Sequence, residues 1–264
     1  MEKYQKILAV VDPTTEDQKA LKRAIELARK TGASITAFLT IYDFSYEMTT
    51  MLSSDEREAM RQSVINDRTQ WLQSILSELN TGEISIDCQV IWHNRPFEQI
   101  INQVLKHGYD IVIKGTHQHD KLKSVIFTPT DWHILRKCPC PVLLVKEHLW
   151  PDNGNIVAAL NIGSDEEEHN SLNEKITAEA KQLTKVMNAN LHLVNSFPGT
   201  PVNIAIEIPE FNASDYNSSM LKHHENAMQE HAKAFNVAKE NTHIKEGLPE
   251  DVIQSLANKL DAEL

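Results

Sequence analysis

Three places in this 264-residue chain hold side chains whose type and spacing could do chemistry. The first is Gly115-Thr116-His117-Gln118-His119-Asp120, where His117, His119 and Asp120 offer two imidazoles and a carboxylate to one ion. Zinc wants a third or fourth ligand. His93, His133 or Cys138 would supply one only if the fold brings it close. A His-x-His in a loop is otherwise solvated, and we assign no metal. The second place is Cys138-Pro139-Cys140. Its short spacing fits bridge geometry poorly. With Cys88 the chain has three cysteines, an odd and sparse count that suits a reducing compartment. We read all three as packing residues. The third is Asp12, directly after an apolar run, where a carboxylate caps the following turn or faces a ligand.

Other candidates have plainer readings. Asp165-Glu166-Glu167-Glu168 reads as an acidic helix start favoured by the macrodipole. His223, His224 and His231 fall on the solvated face of a long helical segment. Trp92 ends a strand, as a core or a cleft residue. There is no Gly-x-Ser-x-Gly elbow, Walker loop or dinucleotide fingerprint. Nothing assembles a nucleophile, a base and an oxyanion hole. The expectation is a binding protein rather than an enzyme.

The elements that must position these residues alternate in type. Ile7 to Val11 is an unbroken apolar run, as in a parallel strand buried on both faces. Apolar residues recur at helical spacing from Glu16 to Lys30, and Gly32 follows as a C-terminal stop. Ile35 to Tyr42 is a second strand. Ser53-Ser54-Asp55-Glu56 caps a long helix whose buried stripe is expected to be Met60, Val64, Trp71, Ile75 and Leu79. Ile84 to Trp92 is a third strand. Pro96 opens a helix with Phe97, Ile100, Ile101, Val104 and Leu105 on its apolar face. Ile111 to Ile113 and Val142 to Val145 are two more strands, with a helix near Thr130 to Arg136 between them. This order implies an α/β fold: a doubly wound parallel sheet that binds ligands beyond the carboxyl ends of its strands.

The pattern then restarts. Ile156 to Asn161 resembles Ile7 to Asp12, and Asn161 stands where Asp12 stood. Helical stretches at Ser171–Met187 and Asn217–Lys239, strands at Leu191–Phe197 and Thr242–Gly247, and the run from Leu248 follow in the same order. The period is about 150 residues, the mark of tandem domains rather than a solenoid. We expect a complete domain over 1–147 and a second over 155–264. Asp261-Ala262-Glu263-Leu264 aligns with Gly108-Tyr109-Asp110-Ile111, so the second copy is expected to stop as its fourth strand begins.

The net charge of −11 disfavours non-specific binding to DNA or an anionic membrane, so neither nucleic acid nor membrane is an expected partner. No apolar run approaches the roughly 20 residues that span a bilayer. Met1-Glu2-Lys3-Tyr4-Gln5 leads straight into a strand without a signal-peptide pattern, and the expected location is the cytoplasm.

Three segments together resemble the universal stress protein family: Ile7-Leu8-Ala9-Val10-Val11-Asp12, Asp110 to His117, and Cys138 to Lys146. Their order and spacing match the first, fourth and fifth strands of that fold, and the tandem arrangement resembles its two-domain members. The resemblance implies two Rossmann-like, adenine nucleotide alpha hydrolase-like domains, the second incomplete. It implies nucleotide-site positions at Asp12, Gly115, Thr116 and Asn161. The family's nucleotide-binding branch carries Gly-x-x-Gly, a spacer, then Gly-Ser or Gly-Thr, because glycines let backbone N–H groups reach phosphate oxygens. Here Gly115 keeps the first glycine, Gln118 replaces the second, and Thr128-Pro129 replaces the last pair. Proline has no N–H to donate. The first domain is therefore expected not to bind ATP in the family's usual way.

The resemblance also implies a role in survival under starvation, oxidative or DNA-damaging stress. It implies pairing through the fifth strand, Val142 to Val145, as an intramolecular pseudo-dimer or a homodimer. The leading expectation is a non-catalytic module binding a small molecule or a protein. The alternatives are a slow ATP-turnover protein whose nucleotide site lies in a complete second domain, and a metal-linked sensor using His117 and His119.

Overall fold

A computed structural model of the protein describes residues 4–46, 48, 51–118, 125–146, 150–164, 166–200 and 212–264. The chain divides into two compact units, Met1–His148 and Leu149–Leu264.

The first unit is built on a five-stranded parallel sheet. Its members are β1 (Lys6–Val10), β2 (Ser34–Ile41), β3 (Ile86–Trp92), β4 (Ile111–Gly115) and, further on, β7 (Val142–Val145), in the order β3-β2-β1-β4-β7. The apolar runs form these strands because both faces are covered. Ile7, Leu8, Ala9, Phe38, Leu39, Val112 and Ile113 are all fully buried. A two-residue antiparallel ribbon that the sequence pattern does not announce pairs β5 (His117–Gln118) with β6 (Val125–Ile126).

Four helices cross over between the strands: α1 (Lys19–Thr31), α2 (Ser54–Glu78), α3 (Pro96–His107) and α4 (Pro129–Lys137). Their ends follow local chemistry. Gly32 and Gly108 close α1 and α3 in the left-handed conformation, at φ 73° and 65°. Ser53 and Glu56 form a reciprocal capping box at the start of α2.

The expected stripe of α2 departs at Met60, which is exposed, and omits Leu72, which is buried with Ile75, while Val64, Trp71 and Leu79 are half-buried. Leu105 also departs from expectation. It is 67% exposed although Ile100 and Val104 on the same helix are buried.

The second unit has a three-stranded parallel sheet in the order β10-β9-β8, formed by β8 (Asn155–Ala159), β9 (Asn190–Phe197) and β10 (Thr242–Glu246). Its helices are α5 (Glu167–Met187), α6 (Ala213–Ala234) and α7 (Pro249–Leu260). Residues 262–264 run beside β8: Ala262 bridges Asn155 in parallel, and the Val157 N–H donates to the Leu264 carbonyl at 2.8 Å.

Of the three helical histidines read as solvated, His223 is exposed, but His224 is buried and His231 half-buried. The His224 ring stacks on Phe197 with centroids 5.0 Å apart, and its Nδ1 is buried without a hydrogen-bond partner among the described residues. It packs so closely on Gly163 that a Cβ there would sit 1.9 Å from Cε1. The His231 Nε2 lies 2.8 Å from the Thr177 hydroxyl. On the sheet, His192 Nδ1 and His243 Nε2 are 3.2 Å apart.

Burial holds all four imidazoles below their ordinary value, with the neighbouring ring adding to this at His224 and His243. The unfolded chain, with histidines near 6.5, then takes up protons first as pH falls. The stability these groups contribute is therefore present above about pH 6.5 and lost below it. Hydrogen exchange, corrected for intrinsic rates, is expected to show β8, β9 and β10 losing protection between about pH 7.5 and 5.5. Unchanged or rising protection there would contradict this assignment of the buried imidazoles.

Candidate functional site

Strand β1 lies between β2 and β4, so the chain leaves the sheet in opposite directions on its two sides. A crevice opens there at the carboxyl ends of the strands. It holds a cavity of about 280 Å³ lined by Val10, Asp12, Thr40, Ile100, Lys114 and Thr128, among others. Gly115 also lines it, whereas Thr116 and Asn161 are not among its lining residues.

Asp12 is the first residue past β1, and its backbone groups have left the ladder. The buried side chain of Gln18 takes both: the Asp12 N–H donates to Oε1 at 2.9 Å and Nε2 donates to the Asp12 carbonyl at 2.7 Å. The Asp12 carboxylate accepts from the Thr14 N–H at 2.9 Å and from the Thr14 hydroxyl at 2.6 Å. That is an Asx turn, so Asp12 shapes the loop while also bordering the cavity.

The other wall is set by the start of α4. Thr128 and Asp131 form a capping box: the Asp131 N–H donates to the Thr128 hydroxyl oxygen at 3.3 Å, and the Thr128 N–H donates to Asp131 Oδ2 at 2.6 Å. The Thr128 hydroxyl also lies 2.9 Å from the same oxygen. Oδ1 of Asp131 lies 2.8 Å from the Lys114 ammonium. This pair is deep, with Asp131 fully buried and the Lys114 side chain 12% exposed. Among the described residues the one lysine bordering the cavity is thus paired with a carboxylate, and the donors of Thr128 are engaged. Pro129 has no N–H.

Three groups that decide the site were not singled out from sequence: Gln18, Lys114 and Asp131. Asp131 had a signal, since Thr128-Pro129-Thr130-Asp131 is a capping-box pattern with proline at the first helical position.

The remaining expected site residues are dispersed. Thr116 is buried, and its N–H and hydroxyl both go to the Val145 carbonyl, at 2.9 and 3.0 Å. These contacts tie β4 to β7. Asn161 lies in the second unit. Its backbone is held by Asn173, whose amide gives 3.0 and 2.9 Å contacts to the Asn161 N–H and carbonyl.

The metal reading gains no support. His119 and Asp120 lie outside the described residues. His93 Nδ1 accepts from the Arg95 N–H at 3.0 Å, and His133 stacks on Phe97 with centroids 4.1 Å apart. Among the described residues no group of three or more His, Cys, Asp or Glu is placed to hold an ion. Trp92 packs against Tyr42 and Tyr46, with centroids 5.9 and 5.3 Å apart, and is not among the cavity's lining residues. No described helix is long and apolar enough to cross a membrane.

The arrangement matches known proteins over nearly its whole length. The model of the Universal stress protein family matches residues 3–146. Universal stress protein E of Escherichia coli is 50% identical over 263 residues, which is 99% of this chain and 83% of that protein. The Universal stress protein E homolog of Haemophilus influenzae is 38% identical over 99% of this chain and 86% of its own length. Among solved structures, a Pseudomonas aeruginosa protein of the universal stress type matches with a TM-score of 0.69 at 26% identity, covering 98% of this chain and 80% of its own. A crevice at the β1–β4 switch point, a doubly wound sheet and likeness along almost every residue lead to one assignment: this chain belongs to the universal stress protein family.

Proposed function

We propose that the chain is a stress-response module that binds a small molecule or a partner protein without catalysis, and that the crevice of its first unit does not hold a nucleoside triphosphate. The observation that carries this reading is the fate of the donors beside the cavity. A triphosphate needs several backbone N–H groups and a cation turned toward its oxygens. Here the Thr128 N–H donates to Asp131, while the Lys114 ammonium pairs with the same carboxylate at 2.8 Å and donates to the Gly115 carbonyl at 3.3 Å. Asp12 adds a carboxylate on the opposite wall. The formal charge of Asp12, Lys114 and Asp131 sums to −1, which repels phosphate. Among the described residues no arrangement of nucleophile and base borders the cavity, so binding is the favoured reading over turnover.

Calorimetry of the whole chain with ATP and magnesium should give no binding heat. At about 1 mM ATP the unfolding temperature should stay put, because stabilisation scales as RT ln(1 + [L]/Kd) and a Kd above the millimolar range yields under about 0.5 kcal/mol. Stabilisation by several degrees would overturn the reading.

Asp131→Ala tests the ion pair itself. Removing one partner of a buried pair costs about 3–5 kcal/mol, since Lys114 would be left buried and alone. Urea unfolding should show a loss of that order. A loss under about 1 kcal/mol would mean the pair is a surface-like contact.

Pairing through β7 is part of the same proposal. This strand is the last of the five-stranded sheet, the position at which another copy would extend the ladder. Size-exclusion chromatography with light scattering should report a dimer that Val142→Pro disrupts. A monomer at all concentrations would end that part.

A further inference from the structure

Cys138 and Cys140 stand closer to one another than their spacing suggested. Their sulfurs are 3.7 Å apart. Proline at 139 explains the approach. It bars the preceding residue from helical backbone, and Cys138 accordingly has φ −69° and ψ 129°, ending α4. In extended backbone, residues two apart face the same side. Both side chains are half-buried, packed beside the cluster that contains Ile134 and Val112. A small oxidant can therefore reach them, while the surrounding core limits other encounters. A disulfide needs its sulfurs at about 2.05 Å, so the pair lies about 1.7 Å from bonding distance.

We propose that Cys138 and Cys140 form a peroxide-responsive dithiol that closes to an intramolecular disulfide joining the end of α4 to the approach to β7. The thiolate of Cys138 attacks one oxygen of hydrogen peroxide. The O–O bond breaks, hydroxide leaves, and the sulfur becomes a sulfenic acid. Cys140 sulfur then attacks that sulfur, the S–O bond breaks, and the Cys140 proton leaves with the hydroxyl as water. The hydroxide from the first step takes the proton that Cys138 gave up. Two thiols lose two electrons, one peroxide becomes two waters, and a dithiol reductant reverses the change.

The order of attack follows from the contact between the sulfurs. Either sulfur can donate in this contact; with Cys140 donating, the Cys138 thiol comes down to about 7 against the cost of its burial. The same contact and burial push Cys140 up. Cys138 is then the attacking group and Cys140 the resolving one. Cys88 is an internal control. Its burial, with Asp87 beside it, raises its thiol, and it is the third half-buried cysteine of the chain.

The test treats the whole chain with hydrogen peroxide, then quenches, alkylates under denaturing conditions and maps peptides by mass spectrometry. The expected product is a peptide spanning 138–140 that has lost two hydrogens, with Cys88 still alkylated. It should form about tenfold faster in the folded chain than in the same chain unfolded by urea. Cys140→Ser should stop at a sulfenic acid that dimedone captures. Cys138→Ser should react only as slowly as Cys88. The proposal is overturned if folded and unfolded chains oxidise alike, if Cys88 reacts as fast, or if the disulfide joins two chains.

Discussion

The carboxylate of Asp131 has no exposure to water, and a lone buried carboxylate is costly by several kcal/mol. The first unit answers that cost locally. Lys114 brings a charge from the end of β4, and Thr128 brings an N–H from the residue before α4. These contacts hold the fourth strand and the fourth helix together at their point of divergence, where the cavity lies. On the proposed reading the same contacts bear on what the cavity accepts, because the single N–H of Thr128, bound to Asp131, cannot also face a phosphate.

A second constraint recurs in both units. Where the first strand of each unit ends, its last backbone groups leave the ladder and must find partners. In the first unit the amide of Gln18 takes both groups of Asp12 from six residues away. In the second the amide of Asn173 takes both groups of Asn161 from twelve residues away. Gln18 and Asn173 are each 2% exposed, so these clamps belong to the core. The two units thus share a backbone frame and differ in the side chain it presents, a carboxylate in one and an amide in the other. An amide keeps hydrogen-bonding capacity without charge.

Much of this was legible beforehand. Apolar runs marked β1, β4 and β7 because parallel strands are buried on both faces, and Gly32 and Pro96 marked helix ends by backbone stereochemistry. What escaped was tertiary. The stripe on α2 has helical spacing, but periodicity alone does not tell which of its residues tertiary contacts cover, and Met60 is exposed. Thr116 adjoined a family motif, yet its hydroxyl goes to the Val145 carbonyl, a partner 29 residues along the chain. Lys114 and Asp131 are 17 positions apart, and nothing in a single sequence pairs them. His224 sits beside the exposed His223, and only the stacking on Phe197 and the bare backbone of Gly163 separate their environments.

Helix α4 joins these themes, because both of its ends carry chemistry. Its first turn holds Asp131 and, through it, Lys114 at the cavity. Its last residue gives way to Cys138, whose N–H still donates to the Ile134 carbonyl at 2.9 Å. The helix is only nine residues long. One short element therefore carries, in its first turn, the carboxylate that engages Thr128 and Lys114 at 2.6 and 2.8 Å and, just past its last turn, the cysteine whose sulfur lies 3.7 Å from that of Cys140. Burial fixes the polar partners at the first end, and proline stereochemistry fixes the backbone at the second.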